Sequence, residues 1–222
     1  MKEDDRKRLL AMSNKDFDEL MCRLHPSLFR NRGKPMSETC MCWGFACGQG
    51  WHPLLADLCD GLHYISAVTT INVVADQVKE KFGTLRFYWH GESCDDTVPS
   101  EHDAEMLDLV ADALVDRAEH LSERTCEDCG SDDGHLFEVG KWWYVRCPEC
   151  AGKIVAERRM AASPIVRKWV ADGHWPETPG VSLFARQRLW VACREASWRV
   201  SCLRARISWR LHDKIRRKQA GG

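Results

Sequence analysis

Apolar positions along the chain change period several times, and each change predicts an element. Phe17, Leu20, Met21 and Leu24 recur at three- and four-residue spacing, with Ser13 or Asn14 placed to cap the first turn and Pro26 to end the helix. A loop over 31–38 carries Gly, Pro and Ser. Leu54, Leu55, Leu58, Leu62 and Ile65 then repeat the helical period. Over 71–90 the period falls to two. Val74, Asp76 and Val78 alternate with Val73, Ala75 and Gln77, and Leu85, Phe87 and Trp89 alternate with Arg86, Tyr88 and His90. This predicts a β-hairpin turning over 79–83, followed by a polar loop over 92–99.

The helical period returns over 101–122, where Met106, Val110, Ala113, Leu114, Arg117 and Leu121 fall on one predicted inner side. Leu136 to Val139 and Trp142 to Arg146 read as a second strand pair around Gly140-Lys141. A helix over about 152–171 follows, then a break over 173–180 that contains two prolines. The segment 182–218 has no internal Gly or Pro and predicts a single helix of about 55 Å. The expected fold class is α+β: helices around a short antiparallel β-hairpin, a zinc-ribbon subdomain, and a long basic C-terminal helix. The expected division is 1–122, 123–151 and 152–222.

The ribbon is predicted by cysteines. Cys126-Glu-Asp-Cys129 and Cys147-Pro-Glu-Cys150 are two C-x2-C knuckles separated by 17 residues. Two residues between cysteines let both sulfurs reach one ion around a tight turn, and two such turns complete a tetrahedral four-sulfur shell. The expectation is one structural Zn2+ held by Cys126, Cys129, Cys147 and Cys150, with no open position for chemistry. A thioredoxin-like reading needs a single knuckle in a βαβ context. His135, inside the insert, reads as a surface residue because four thiols already suffice.

A second set, Cys40, Cys42, Cys47 and Cys59 with His52 and His63, admits two readings: a further metal site, or cysteines buried in a corner rich in Gly and Trp. In that corner Trp43 and Trp51 are expected to supply buried area. Scattered cysteines such as Cys22, Cys94, Cys193 and Cys202 read as small buried hydrophobes.

Twelve cysteines, no apolar run long enough to span a bilayer and a charged N-terminus without a signal-peptide core predict a cytosolic protein with no membrane partner. The net charge of −1 conceals an asymmetry, because 151–222 holds 16 Lys and Arg against 5 Asp and Glu. Either this arm meets an anionic partner, or it folds back on the acidic remainder of its own chain. On a helical wheel Arg188, Arg199, Arg206, Arg210 and Arg217 fall nearly in register, between one face of Trp198, Cys202, Ala205 and Trp209 and another of Ala196, Val200, Leu203, Ile207 and Leu211. An arginine stripe suits phosphates and interleaved tryptophans suit unpaired bases, which makes nucleic acid a candidate partner. Two opposed apolar faces also suit core packing, a homo-oligomer or a host protein.

No catalytic constellation is complete in the sequence. Lys79, Glu80, Lys81 and Arg86 read as a solvated hairpin turn, and neither a Ser/His/Asp order nor an H-E-x-x-H pattern accompanies them.

The stretch Cys42-Trp-Gly-Phe-Ala-Cys-Gly-Gln-Gly-Trp51, the run Val78-Lys-Glu-Lys-Phe-Gly-Thr-Leu-Arg-Phe-Tyr88 and the later Cys-x2-Cys-Gly resemble a family of uncharacterised phage and prophage proteins. The resemblance covers about 40–150 and does not reach the basic arm. It implies a phage-encoded accessory protein working in a bacterial host cytoplasm, and it implies no reaction.

Overall fold

The computed structural model describes residues 1–93 and 101–173. The predicted helix over 182–218, its five arginines, Cys94, Cys193 and Cys202 lie outside the described residues. Met1–Trp175 make up one unit and Pro176–Gly222 another.

Two helices open the chain, α1 (Glu3–Leu10) and α2 (Asn14–Leu24). The first was not legible from apolar period, since only its Leu9 is buried. Its acidic first turn and basic last turn instead complement the helix dipole. Ser13 caps α2 by accepting from the Asp16 amide at 3.2 Å, and Phe17 and Met21 turn inward. A short turn (Met41–Trp43) leads into β1 (Phe45–Ala46), and a second (Gln49–Trp51) runs directly into α3 (His52–Val68), which has Pro53 in its first turn.

The hairpin consists of β2 (Ile71–Lys81) and β3 (Thr84–Ser93), longer than the alternation predicts. Only Phe82 and Gly83 turn the chain, both at positive φ (57° and 79°), as a two-residue turn of the I′ kind requires. A bulge between Ala75 and Gln77 interrupts the register. The sheet order is β1-β2-β3, with β1 parallel to β2 at Phe45↔Val78. The free edge of β3 is covered by α4 (Glu101–Ser122): the Leu85 amide donates to Ser122 Oγ at 2.9 Å and the Phe87 amide to Glu119 at 3.2 Å.

The buried stripe of α4 is Leu107, Ala111, Val115, Ala118 and Ser122. This corrects the predicted inner side in part: Val110 and Leu121 are exposed at 37% and 38%, Ala113 and Arg117 are exposed too, and Leu114 is partly buried against the large core. Both stripes have helical spacing. The sheet edge selects the one that offers small side chains and the Ser122 hydroxyl to an approaching backbone. Trp51 is fully buried, as expected of this corner, whereas Trp43 is 63% exposed. The Met41–Trp43 turn points Met41 inward and so directs Trp43 out.

Beyond α4 lie β4 (His135–Val139) and β5 (Trp142–Arg146), joined through Gly140 and Lys141, both at positive φ. The predicted 152–171 helix is two helices. α5 (Pro148–Glu157) ends at Arg158, and α6 (Pro164–Asp172) begins at a Ser163 cap. Pro164 lacks the amide a continuous helix would need, and it occupies the first turn of a new one. These elements share a small core of Phe137, Val139, Ala151, Val155, Ala162, Val166 and Trp169, separate from the large core under the three-stranded sheet. The architecture is therefore α+β. No described helix is long and apolar enough to cross a membrane.

Candidate metal centre

The four predicted sulfurs come together. Cys126, Cys129, Cys147 and Cys150 place their Sγ atoms within 4.8 Å of one another, and Cys129 and Cys147 are 3.7 Å apart. Four ligands at about 2.3 Å around one tetrahedral ion would be separated by about 3.8 Å. Cys126, Cys147 and Cys150 are buried while Cys129 is exposed.

Each knuckle has a local cause. The first closes where the Gly130 amide donates to the Cys126 carbonyl and the Cys126 amide donates to Ser131, both at 2.8 Å. Gly130 sits at φ +73°, and a Cβ there would also come within 3.0 Å of the Gly50 carbonyl. The second knuckle is the start of a helix. Cys147 is the N-cap of α5, Pro148 stands in its first turn, and Cys150 follows within that turn.

Burial raises the Cys126 pKa, but the amides of Cys129, Cys147 and Asp128 aimed at its sulfur offset that and hold it below the ordinary thiol value. Burial and the neighbouring sulfurs push Cys129 up to about 11 and Cys150 higher still. The clustered thiols thus oppose one another's ionisation, an opposition that a bound cation would relieve.

The unit is held to the sheet body through Glu127, the residue inside the first knuckle. Its side chain is buried, with Oε1 accepting from the Gly48 amide at 2.8 Å and Oε2 from Arg146 at 2.6 Å. Its carbonyl accepts from the Gly50 amide at 2.8 Å, and its own amide donates to Val145 at 3.1 Å. Trp51 Nε1 donates to the Thr125 carbonyl at 2.8 Å. Arg146 also lies 2.7 Å from Asp128. Gly48-Gln49-Gly50-Trp51 is thus the seat of the knuckle. A Cβ at Gly50 would overlap the Cys126 carbonyl and come within 2.6 Å of the Gly130 amide. Gly50→Ala is expected to lower stability by about 2–3 kcal/mol, because backbone rather than a flexible side chain must yield. Urea denaturation measures this, and a loss below about 0.5 kcal/mol would contradict the seat.

The Val78–Tyr88 run has a similar place. A Cβ at Gly83 would lie 2.6 Å from the Leu136 side chain and 3.1 Å from the Tyr144 amide, so the β2–β3 turn abuts the β4–β5 hairpin. The predicted solvated turn is corrected in part. Arg86 is 8% exposed and lies 3.7 Å from Glu119, and Glu80 accepts from the Gly83 amide, while Lys79 and Lys81 lie over the rings of Tyr88 and Phe82. His135 is half-buried with its ring edge-on to Trp169 at 5.5 Å rather than on open surface.

Among the described residues, with the side chains as they stand, no other group of three or more His, Cys, Asp and Glu converges as these four do. Of the second set, Cys47 and Cys59 are buried, Cys40 is exposed, and Cys42 is intermediate. His52 belongs to the core, stacked on Phe17 at 4.0 Å. Glu127 and Arg146 were missed by sequence reasoning. The signal available was an acid inside one knuckle and a base immediately before the other.

Comparison with protein-family models, with curated proteins and with solved structures gives no match.

Proposed function

We propose that this chain is a zinc-stabilised, non-enzymatic binding protein of phage or prophage origin, contacting nucleic acid through its basic C-terminal segment. The observation that carries the metal is the convergence of four sulfurs within 4.8 Å. Cys126, Cys129, Cys147 and Cys150 would hold one Zn2+ in a closed shell whose role is to lend folding energy to the small 125–173 core. A closed shell offers no position for substrate, in keeping with a scaffold.

Charge supports the ligand. Residues 174–222 carry 11 Lys and Arg against 3 Asp and Glu, five of the arginines being Arg188, Arg199, Arg206, Arg210 and Arg217. Such a segment neutralises phosphates and releases their counterions, so affinity should fall steeply with salt. Protein purified without a metal-affinity tag is expected to bind a mixed-sequence oligonucleotide with a log–log salt slope of about −3 to −5. Replacing the five arginines by Gln should flatten that slope. No oligonucleotide binding at low salt would overturn the nucleic-acid reading. A salt-tolerant 1:1 complex with a host protein would favour instead a protein-interaction module acting on a host factor, the reading that the apolar spacing of the 182–218 sequence supports.

A further inference from the structure

His25 is the one histidine that is buried without a hydrogen bond among the described residues. It is 3% exposed, and neither ring nitrogen makes a hydrogen bond. An imidazole buried in that state gives up its hydration with only an unaligned carboxylate, that of Asp60, close to one ring nitrogen and nothing for the other, which leaves it short of a partner. His25 is the C-cap residue of α2, so its backbone is fixed: its amide donates to Met21 at 2.8 Å and its carbonyl accepts from Phe29 at 3.1 Å. Its ring faces α3, where Asp60 and His63 stand three residues apart and hence on one face.

The donor-atom separation of His25 and Asp60 is that of two ligands around an ion. Asp60 Oδ1 lies 3.3 Å from His25 Nε2, yet the two are not aligned as donor and acceptor. Imidazole and carboxylate bound to one cation at about 2.0–2.2 Å bring their donor atoms to about 3.0–3.5 Å of each other. The His25 and His63 rings have centroids 5.3 Å apart and planes inclined at 59°. Two imidazoles sharing an ion at such bond lengths hold their centroids about 4.5–5.3 Å apart. His25 and Asp60 form the preset pair. His63 is exposed, and turning its ring about its own side-chain bonds completes the donor set.

We propose that His25, Asp60 and His63 form a second metal site, for a divalent transition cation of the zinc, nickel and cobalt class. Two imidazoles and a carboxylate suit that class, and three protein donors leave coordination positions open to water or an exogenous ligand. The site lies on α2 and α3, uses none of the four clustered cysteines, and does not depend on the function proposed above. Its open coordination contrasts with the closed four-sulfur shell.

The test is a Co2+ titration of the full chain, followed by calorimetry and visible spectroscopy. Cobalt at the cysteines gives intense thiolate charge-transfer bands, and cobalt on histidine and carboxylate does not. The expected result is a second equivalent without those bands. His63→Ala and Asp60→Asn, both at exposed positions, should each weaken that equivalent by about 100-fold or more, since losing even an outer-shell partner costs about 10–100-fold. Both variants should keep the melting temperature and the first equivalent, whereas Cys126→Ser should lose the first and keep the second. Binding of one equivalent only, or a second that survives both exposed substitutions within about twofold, would overturn the proposal.

Discussion

Stripping the metal from the four-cysteine site, by chelation or by Cys126→Ser, is expected to unfold the 125–173 part of the chain before the sheet body. The core there is seven residues, Phe137 to Trp169, too few to offset the ordering of nearly fifty residues without a staple. Apparent binding free energies of structural zinc in small domains are about 10–16 kcal/mol, and that energy is folding energy. The body keeps its own core, from Phe17 through Trp51 to Trp89, and has no cysteine ligand in it. The melting temperature should fall by more than about 10 °C, since each kcal/mol moves a domain of this size by about 2–4 °C. Amide exchange should show β4, β5, α5 and α6 losing protection first. Elemental analysis of the untreated protein should give one zinc per chain at these cysteines. A chelator-insensitive melting curve, or protein free of zinc at full stability, would remove the metal from the account.

The second large effect belongs to Glu127. Glu127→Ala is expected to cost about 3–5 kcal/mol, the usual penalty for breaking a buried ion pair from one side. The loss leaves Arg146, whose side chain is 11% exposed, with the half-exposed Asp128 as its remaining carboxylate and the Val145 carbonyl as a neutral acceptor, and it also leaves the Gly48 amide without an acceptor. Glu127→Ala combined with Arg146→Met should recover part of the loss, because removing both charges removes the desolvation penalty with them. Zinc content should stay unchanged in Glu127→Ala, which separates loss of the seat from loss of a ligand. A cost below about 1 kcal/mol by denaturant titration would show that Glu127 is not what joins the cysteine unit to the body.

The four-cysteine cluster was legible because its information is local. A C-x2-C knuckle specifies its own turn, and the positions of Gly130 and Pro148 are consistent with that turn in both copies. The helices of Phe17 and Leu54 and the alternation through Val78 and Phe87 were legible for the same reason: period records which side of an element meets apolar matter. Pattern failed where two readings share a period. Along α4, Leu107–Val115 and Val110–Leu121 are both helical stripes, and only contact with the β3 edge distinguishes them. Around Pro164, apolar spacing runs on across a backbone that cannot.

By itself, then, the sequence determined the two cysteine knuckles, an α+β succession of elements and a segregated basic arm, all properties that residues a few positions apart can encode. Tertiary structure alone decided what the two most distinctive motifs are for. Gly48 and Glu127 are separated by 79 positions, and no local rule marks Gly48 as the donor to that carboxylate. Nor does any local rule show that Gly83 is small because the β4–β5 hairpin lies against it. Glycines reveal a close approach only when the approaching backbone is in place, and a buried charge reveals its partner only when both have left water.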